Sequence, residues 1–399
     1  MQFKRSLDYT VGAEWELHLL DKQSLDLTPG IGSIMKIYPG DSRVKPEFVQ
    51  SCVELNSRVC ANATDLREDL LGLVAEVDRK CQQYGMLLAA AGTHPTCKRL
   101  AIITPLPRYK LIESRNGFSS HAQVTFATHI HVAVESGNEA IDSMTILTPT
   151  LPVLIALSAN SPFWRCHQTG YACYRQRLLA ASPSFGRPPN FADWTEFAEF
   201  FAMAHRAGSV QTIKDVHWDI RPHPTYGTIE IRALDAQSTV AEIARLAALV
   251  RTLIVFIRNN SRPVVEHLLL RPISPWADRE NYFRAAHWGL DSAMIVDRHG
   301  STLPMRQIAQ RMIAALQPTA TAIGEGALLD ELGTSLSEAT GYRAQLDAYS
   351  GRQDAWDVIR CLRHRLEAEI DGHVAVARKA ASQQPATAGF ATDQSSCAA

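Results

Sequence analysis

The stretch VGAEWELHLL, residues 11–20, decides the fold, because it has the alternation of a β-strand with two unlike faces. Side chains alternate along a strand, so residues i, i+2 and i+4 lie on the same side of a sheet. The apolar side carries Val11, Ala13, Trp15, Leu17 and Leu19. The polar side carries Gly12, Glu14, Glu16 and His18. Two carboxylates side by side on one face repel each other, so this pattern predicts a cation close to Glu14 and Glu16.

The same two-faced pattern recurs in four later segments of the chain. Their polar faces carry Glu54 in EFVQSCVELN, His129 and His131 in FATHIHVAV, Asp219 and Arg221 in WDIRP, and Glu230 and Arg232 in GTIEIRAL. A lone E-x-E or H-x-H on a strand is more often a solvated or structural feature than a ligand set. If all these strands lie in one sheet, however, their ionisable groups converge on one surface, and this coincidence favours a functional site.

The converging carboxylates predict a metal site. Glu14, Glu16, Glu54 and Glu230 would together bring four negative charges, and unpaired carboxylates at this density take up protons. Two divalent cations would balance them, and carboxylates with an imidazole suit Mg²⁺ or Mn²⁺. A pair of such ions is typical of phosphoryl transfer, in which Arg221 and Arg232 would hold the transferred phosphate.

Composition and charge exclude several other classes of protein. The chain has 399 residues and a net charge of -1, so nothing indicates a polyanionic partner such as nucleic acid. No apolar run reaches about 18 residues without a charge or a proline, which predicts no membrane span. The start, MQFKRSLDYT, is not typical of a signal peptide. Eight cysteines without a C-x-x-C pair fit reduced thiols, and we expect a cytoplasmic protein.

The order of elements predicts an α+β fold with an antiparallel sheet. Strands come first, a hairpin follows at residues 216–235, and the rest is mostly helical. Amphipathic or buried helices are predicted at 64–85, 143–163, 191–208 and 238–260, the first capped by Thr64 or Asp65 and the last opened by a Thr239–Glu242 capping box. Residues 1–378 form one predicted domain, and residues 379–399 form a predicted disordered tail rich in Ala, Ser and Gln.

Seven segments, in this order, resemble the carboxylate–amine ligases of the second glutamate–cysteine ligase family. They are TVGAEWELHLLD, ELN at 54–56, AGTHP at 91–95, THIHVAV, SANSPFW at 158–164, TGYACYRQRL at 169–178 and WDIRPHPTYGTIEIRALD. The resemblance runs from about residue 8 to about residue 260 and continues more weakly through the C-terminal helices. It implies a glutamine synthetase-like fold, in which helices pack on the outer face of a curved antiparallel catalytic sheet.

The resemblance also implies a role for each matching residue. The implied ligands of two Mg²⁺ or Mn²⁺ ions are Glu14, Glu16, Glu54, His129 and Glu230. His131 would lie near the ATP phosphates, Arg232 would stabilise the transferred phosphate, and Arg221 would be a further substrate or phosphate arginine. The implied amino-acid site comprises Asn160, Ser161, Tyr174 and Arg175.

The activity that the resemblance implies is ATP-dependent amide formation between two small molecules, an amino-acid carboxylate and an amine. The carboxylate attacks the γ-phosphate of ATP, which yields an acyl phosphate and ADP, and the amine then displaces phosphate. Glutamate–cysteine ligase activity is expected, although it is weak in some members of this family. A homodimer is one assembly that the resemblance implies. The sequence lacks a G-x-x-x-x-G-K-[ST] loop, so ATP would not be held in the P-loop manner.

Two alternative functions remain open at this point. An amidohydrolase-type hydrolase also uses H-x-H on a strand to bind zinc, but it places this motif near the start of its domain and uses further histidines. Here H-x-H comes at residues 129–131, after the E-x-E strand. A non-catalytic paralogue that binds ATP or an amino acid is the second alternative, and an ATP-hydrolysis assay with a panel of amino acids would separate it from a ligase.

Overall fold

A computed structural model of the chain describes residues 1–6, 8–182, 184–268, 270–338 and 341–383. Its strands are β1 Val11–Asp21, β2 Val44–Pro46, β3 Cys52–Asn56, β4 Met86–Ala89, β5 Ala127–Ala133, β6 Phe163–Trp164, β7 His167–Gln168, β8 Phe185–Gly186, β9 His217–Trp218, β10 Ile220–His223, β11 Thr228–Asp235, β12 Ala293–Ile295 and β13 Thr302–Pro304. The α-helices of the first half are α1 Ile31–Ile37, α2 Ala63–Gln83, α3 Pro107–Asn116, α4 Ser119–Ala122, α5 Gly137–Leu147, α6 Leu151–Ser158 and α7 Tyr174–Leu179. Those of the second half are α8 Trp194–Arg206, α9 Val240–Asn259, α10 Arg262–Leu268, α11 Pro275–Trp288, α12 Met305–Ala322, α13 Gly326–Ser335, α14 Tyr342–Ser350 and α15 Ala355–Gln383.

Seven strands form one sheet in the order β10-β11-β5-β1-β3-β2, with β4 also paired to β1. Every pairing within this sheet is antiparallel. The long strand β1 lies at its centre, with β3 along one edge and with β5 and β4 along the other. The predicted α+β class with an antiparallel sheet is therefore confirmed, as is the hairpin of β10 and β11.

Helices cover the apolar face of the sheet. Trp15, Leu17 and Leu19 on β1 are completely buried, and α2 and α9 pack against this strand while α6 packs against β11. The Trp15 Nε1 donates a hydrogen bond to the main-chain oxygen of Gln237 at 3.0 Å, so the one polar atom of this large side chain is satisfied. Because the helices occupy one face, the polar side chains of the strands are left on the other.

The predicted helices are present, with corrections at their ends. The capping box of Thr239 and Glu242 opens α9 as expected, but α2 is capped by Asn62, whose side chain accepts from the Asp65 main chain. The segment predicted as one helix from 143 begins earlier, at Gly137, and a 3₁₀ turn at Thr148–Thr150 divides α5 from α6. Prolines at 149 and 152 lack the N–H that would continue an α-helical ladder there.

By length and composition alone, this divided helix is long and apolar enough to cross a membrane. Within the 22 residues of Gly137–Ser158, a window of 18 residues has a mean hydropathy of 1.6. Within the protein, 78% of it is buried, as is typical of the core helix of a globular domain. At the other end of the chain, α15 continues to Gln383, past the predicted start of the tail at residue 379, and residues 384–399 lie outside the described residues.

Candidate active site

The strand register places the predicted ionisable residues side by side on the polar face. Glu16 pairs with Glu54 across β1 and β3, and Glu14 pairs with His129 across β1 and β5. His131 pairs with Glu230, which in turn pairs with Arg221 across the hairpin of β10 and β11. Residues directly opposite each other in an antiparallel pair share a face, so the convergence predicted from alternation is present.

One set of side chains on this face, which we term the histidine group, comprises Glu14, His131 and Glu230. Each offers one ligand atom, and these atoms lie within 4.8 Å of one another. The His131 Nε2 lies 3.6 Å from the Glu14 Oε1 and 3.8 Å from the Glu230 Oε1. Because the His131 Nδ1 is hydrogen-bonded to the Thr228 Oγ1 at 3.0 Å, the ring is held with Nε2 toward the carboxylates.

Two arginines compensate the charge of Glu230, which is completely buried. The Arg221 Nε donates to the Glu230 Oε2 at 2.7 Å, and the Arg232 Nη1 donates to the Glu230 Oε1. The Arg221 Nη1 also donates to the main-chain oxygens of Ile213 and Val216, at 2.9 and 2.6 Å. Arg221 is thus largely committed to partners in the protein, whereas the buried Nε of Arg232 has no hydrogen-bond partner in the described chain.

Protonation in the histidine group follows from these contacts. Burial alone would raise the pKa of Glu230, but the charges of Arg221 and Arg232 outweigh it and hold the pKa well below its usual range. Burial likewise opposes ionisation of Glu14, and the close contacts with His129 and His131 reverse its effect, so the pKa of Glu14 is also low. For His131, the nearby Glu230 and Glu14 overcome burial and raise the pKa. The two carboxylates of the group are therefore ionised without a metal.

A second set, which we term the triglutamate group, comprises Glu16, Glu47 and Glu54, and its ligand atoms also lie within 4.8 Å of one another. Burial, with the charge of Glu54, raises the pKa of Glu16 to about 7. Burial and the charge of Glu16 raise the pKa of Glu47 to about 7. Burial and the charges of Glu14 and Glu47 raise the pKa of Glu54 well above its usual range. These carboxyls lack the close arginines of the histidine group.

Glu47 was not among the predicted site residues. It follows β2 directly, in a loop, so no alternation pattern indicated where its side chain would lie. The available signal was its position beside the strand that carries Glu54, since Lys45 of β2 pairs with Glu54 of β3. A carboxylate two residues from that pair lies within reach of Glu54.

His129 lies between the two groups. Its Nδ1 is 3.1 Å from the Glu14 Oε2 and 3.4 Å from the Arg232 Nη1, while its Nε2 is 4.0 Å from the Glu16 Oε1. Burial and the charge of Arg232 lower the pKa of His129 to about 4, so its ring is neutral at neutral pH. Geometry brings His131 into a set of potential ligands with Glu14 and Glu230. The ligand role predicted for His129 and the phosphate role predicted for His131 stay predictions.

The donor set of this face fits divalent cations that prefer oxygen. It consists of carboxylates with neutral or hydrogen-bonded imidazoles, the ligands that Mg²⁺ and Mn²⁺ accept. The buried Nε2 atoms of His129 and His131 have no hydrogen-bond partner among the described residues. The raised pKa values in the triglutamate group indicate that burial and mutual repulsion oppose ionisation of these carboxyls, an effect that a bound cation would reverse.

The predicted amino-acid site separates into two parts. Asn160 and Ser161 are completely buried and surround Asp235, whose Oδ2 accepts from the Asn160 main chain at 2.8 Å and from the Ser161 Oγ at 2.7 Å. The Asn160 Nδ2 is also engaged, by the main-chain oxygen of Ala236 at 2.7 Å. Both side chains thus find their hydrogen-bond partners within the protein, which is typical of a structural role.

Arg175 and Tyr174, the other two predicted residues, have more capacity to contact a ligand. The Arg175 side chain is buried, and its Nη2 donates to the main-chain oxygen of Arg232 at 3.3 Å. Its Nε and Nη1 have no hydrogen-bond partner in the described parts of the chain. The half-buried Tyr174 packs beside Tyr171, with ring centroids 5.7 Å apart. A buried guanidinium with free donors beside Arg232 is suited to an anionic group.

Comparison with known proteins identifies relatives of this chain. The model of the glutamate–cysteine ligase family 2 matches residues 10–361. A protein of Trichormus variabilis named "Putative glutamate--cysteine ligase 2" is 39% identical over 371 residues, which cover 93% of this chain and 96% of the relative. A protein of the same name from Thermobifida fusca is 33% identical over 352 residues, covering 86% and 88%.

Solved structures extend the likeness of fold to more distant proteins. A glutamate–cysteine ligase of Francisella tularensis, solved in complex with AMP, superposes with a TM-score of 0.62 at 11% identity, and 97% of each chain is covered. A bifunctional glutathione synthetase of Pasteurella multocida superposes with a TM-score of 0.67 at 12% identity, covering 90% of this chain and 52% of the other. On the family match and the identity to its relatives, this chain belongs to glutamate–cysteine ligase family 2.

Proposed function

We propose that this protein is an ATP-dependent carboxylate–amine ligase that forms an amide through an acyl phosphate and releases ADP and phosphate. The observation that carries the proposal is the polar face of the sheet, on which two groups of potential metal ligands flank the free Nε of Arg232. Family membership supports the reaction class. The names of the relatives make glutamate the first carboxylate to test and cysteine the first amine.

Two Mg²⁺ or Mn²⁺ ions would be held by this face, one by the histidine group and one by the triglutamate group. When bound, such ions offset the negative charge of the ATP phosphates, which otherwise repels an incoming carboxylate. Arg221 acts through Glu230, because its contacts with Ile213 and Val216 fix the guanidinium that orients this carboxylate. We therefore assign Arg221 to positioning and leave contact with phosphate to Arg232.

The free donors of Arg232 and Arg175 fit the two anions of the first step. Arg232 would bind the γ-phosphoryl group, whose charge spreads over its oxygens during transfer. Arg175 would bind the substrate carboxylate beside it. An oxygen of this carboxylate bonds to the γ-phosphorus while the bond from that phosphorus to the ADP oxygen breaks. In the second step, the amine nitrogen bonds to the acyl carbon and the carbon–oxygen bond to phosphate breaks.

Isotope transfer tests this scheme. With ATP, Mg²⁺, cysteine and glutamate labelled with ¹⁸O in its carboxylates, the released phosphate is expected to contain one labelled oxygen, with ADP as the co-product. Mass spectrometry of inorganic phosphate measures the label. Unlabelled phosphate, or AMP with pyrophosphate, would overturn the acyl phosphate scheme. If glutamate is not accepted, the same reaction is run with each carboxylate that supports ADP release.

The alternatives weighed from the sequence fit less well. A hydrolase of the amidohydrolase type would present its H-x-H motif on a strand of a parallel barrel, whereas β5 lies inside an antiparallel sheet. A non-catalytic paralogue predicts no ADP release with any pair of amino acids, so the same assay decides it. We also propose that the enzyme works in the cytoplasm, since the cysteines in the described part of the chain are free thiols.

A further inference from the structure

A cavity of about 1120 Å³ opens beside the site, on the side of β10 and α7. Its walls come from α7, α11 and the loop that follows β8, with Tyr171, Gln176, Tyr282 and Phe283 among the lining residues. Asp219 also lines it, and this carboxylate is the point where the cavity meets the site. The main-chain oxygen of Asp219 accepts from the main chains of Arg232 and Ala233, at 2.7 and 3.1 Å.

The Asp219 carboxylate is buried but incompletely partnered. It belongs to a residue that is 4% exposed, and its Oδ1 accepts from the Gln176 Nε2 at 3.2 Å. Its Oδ2 and the nearby Tyr282 hydroxyl, which lines the same cavity, both lack a close hydrogen-bond partner within the ranges that the structure describes, and Tyr282 helps to lower the pKa of Asp219. Burial raises the pKa of Asp219, and Gln176, Arg175 and Arg232 oppose this effect. A buried carboxylate oxygen without a partner is costly unless a ligand supplies a donor.

Charged side chains that each keep at least one atom without a hydrogen bond thus meet at this junction, although Arg232 is paired with Glu230 and the Arg175 Nη1 lies 4.0 Å from the Asp235 Oδ1. Arg175 offers Nε and Nη1, Arg232 offers Nε, and Asp219 offers Oδ2. Gln176 connects them, because its Nε2 donates both to Asp219 and to the main-chain oxygen of Ala233, which follows Arg232. The charge of Arg175 lowers the pKa of Glu16 as well as that of Asp219, so this guanidinium lies close enough to act on both carboxyls.

The rest of the cavity carries an excess of positive charge. Arg187 is paired with Asp278 at 3.0 Å. The exposed side chains of Arg177, Arg279 and Arg298 also line the cavity, and none of the three forms an ion pair with a described residue. This positively charged wall attracts a ligand whose anionic group lies at a distance from Asp219.

We propose that Asp219 binds the ammonium group of the acceptor amine and takes up its proton, and that the acceptor is a primary amine whose anionic tail extends into this cavity. The proposal rests on the proposed function and names the second substrate class of the same site. The cavity matches the volumes that hold drug-sized ligands, so cysteine would fill only a small part of it. A short peptide with a free carboxylate has the required size and charges.

The proton balance of the second step defines what Asp219 contributes. An ammonium nitrogen has no lone pair, so one proton must leave before attack, and it passes to the Asp219 Oδ2. The free amine then bonds to the acyl carbon, and phosphate departs with the electron pair of the broken carbon–oxygen bond. The nitrogen loses its second proton to the departing phosphate, and Asp219 returns its proton to solvent. General-base assistance of this kind contributes about 100- to 10,000-fold.

Hydroxylamine provides the decisive comparison, because it is uncharged at pH 7.5 and traps an acyl phosphate as a hydroxamate without an ammonium site. Wild type and Asp219→Asn are each assayed with glutamate and ATP, with either hydroxylamine or glycylglycine as the acceptor. Asp219→Asn is expected to lower amide formation with glycylglycine about 100-fold more than it lowers hydroxamate formation. An equal loss with both acceptors would overturn the role of Asp219.

The outcomes in wild type separate this proposal from the proposed function. Wild type that makes neither hydroxamate nor amide with any carboxylate contradicts the ligase itself. Wild type that makes hydroxamate but no amide with glycylglycine contradicts the acceptor class alone. Asp219→Glu keeps the charge, so its rate of amide formation should be about tenfold higher than that of Asp219→Asn. If Asp219→Asn does not fold, Asp219→Glu is assayed in its place. Asp142→Asn, an exposed carboxylate of α5, is the matched control.

The anionic tail is tested with glycylglycinamide, which has the same amine as glycylglycine but no carboxylate. In the double variant Arg177→Ala and Arg279→Ala, the KM for glycylglycine is expected to rise about tenfold. This rise corresponds to a loss of about 1.4 kcal/mol of binding free energy. The KM for glycylglycinamide should change less than threefold. Equal changes for the two acceptors would overturn the assignment of the arginine wall to a substrate anion.

Discussion

The two ligand groups on the polar face share a strand but differ in how their charge is compensated. The histidine group lies against Arg221 and Arg232, and the pKa values of Glu14 and Glu230 are held low. The triglutamate group has the more distant Lys45 Nζ, 3.8 Å from the Glu54 Oε1, and the pKa values of its members are raised. Neighbouring residues of β1 thus face opposite electrostatic conditions.

Because of this difference, a metal ion that binds meets a different obstacle in each group. In the histidine group the carboxylates are already ionised, but a cation must compete with the guanidinium hydrogen bonds to Glu230. In the triglutamate group the hydrogen-bond donors are two main-chain N–H groups and the Asn56 amide rather than guanidiniums, but protons must leave before a cation binds. We infer that metal affinity of the triglutamate group depends on pH in the neutral range, whereas that of the histidine group depends on how the arginines rearrange.

The largest expected effect is the loss of the buried charge in the histidine group. Glu230→Gln leaves Arg221 and Arg232 without their carboxylate, and removing one partner of a buried ion pair costs about 3–5 kcal/mol. Urea unfolding of the metal-free protein measures this change in the free energy of unfolding. Glu135→Gln, which breaks the half-exposed pairs with Arg5 and Arg258, is the control and should have a much smaller effect. A change below about 1 kcal/mol at Glu230 would mean that the arginines do not depend on it.

The next effect concerns turnover. Arg232→Lys keeps a positive charge but replaces the planar fork that contacts Glu230 and leaves Nε free. Turnover is expected to fall about 100- to 1,000-fold, the usual loss when one donor to a developing charge is removed. The measurement is kcat for ADP release, with circular dichroism as a check of folding. A variant that keeps more than about a third of the wild-type kcat would show that Arg232 does not contact the transferred phosphate.

Alternation along strands predicted most of this face from the sequence. It placed Glu14, Glu16 and Glu54 correctly, because the side-chain period of a strand is fixed by its backbone. It could not decide between His129 and His131, which share a face. Which of the two meets Glu230 depends on the register of β5 against β11, a property of the assembled sheet.

Alternation along strands could not predict the contacts that loops make with the site. The substrate or phosphate role expected for Arg221 stays a prediction, but its guanidinium donates to the main-chain oxygens of Ile213 and Val216, and nothing in strand periodicity places that loop. Asn160 and Ser161 were expected at the substrate, but they are held by Asp235, which is distant in sequence. Tertiary packing decides whether a polar side chain is free, and local sequence does not report it.

A smaller effect is expected in the pH dependence of stability. The pKa values of Glu16 and Glu47 are about 7 in the folded protein and have an ordinary value near 4.5. Between these values each of the two carboxyls binds more protons in the folded than in the unfolded state, so their contribution to the stability of the metal-free protein falls as pH rises from about 4.5 to about 7. Carboxylates with a low pKa, such as Glu14, lose their contribution only below this window.

Thermal unfolding in EDTA and in Mg²⁺, from pH 5 to pH 8, measures this dependence. The increase in Tm that Mg²⁺ causes should grow with pH, because protons and the cation compete for the same oxygens. The double variant Glu16→Gln and Glu47→Gln isolates these carboxyls from the histidines, and its Tm in EDTA should decline less with pH than that of wild type. Parallel curves for wild type and the double variant would show that the triglutamate group does not titrate in this window.

The smallest effect is a gain of stability in the triglutamate group, opposite in sign to the loss at Glu230. Glu54→Gln removes a buried carboxyl whose ionisation is opposed by burial and by Glu14 and Glu47. The Asn56 Nδ2, which donates to the Glu54 Oε1 at 2.8 Å, retains an acceptor in the glutamine side chain, so no hydrogen bond is lost. In EDTA at pH 8 the variant should be more stable than wild type by about 1 kcal/mol, as measured by urea unfolding. Its stabilisation by Mg²⁺ should fall at the same time, because one charged ligand is missing. Destabilisation in EDTA would mean that Glu54 is already compensated in the metal-free protein, and the contrast between the two groups would then be wrong.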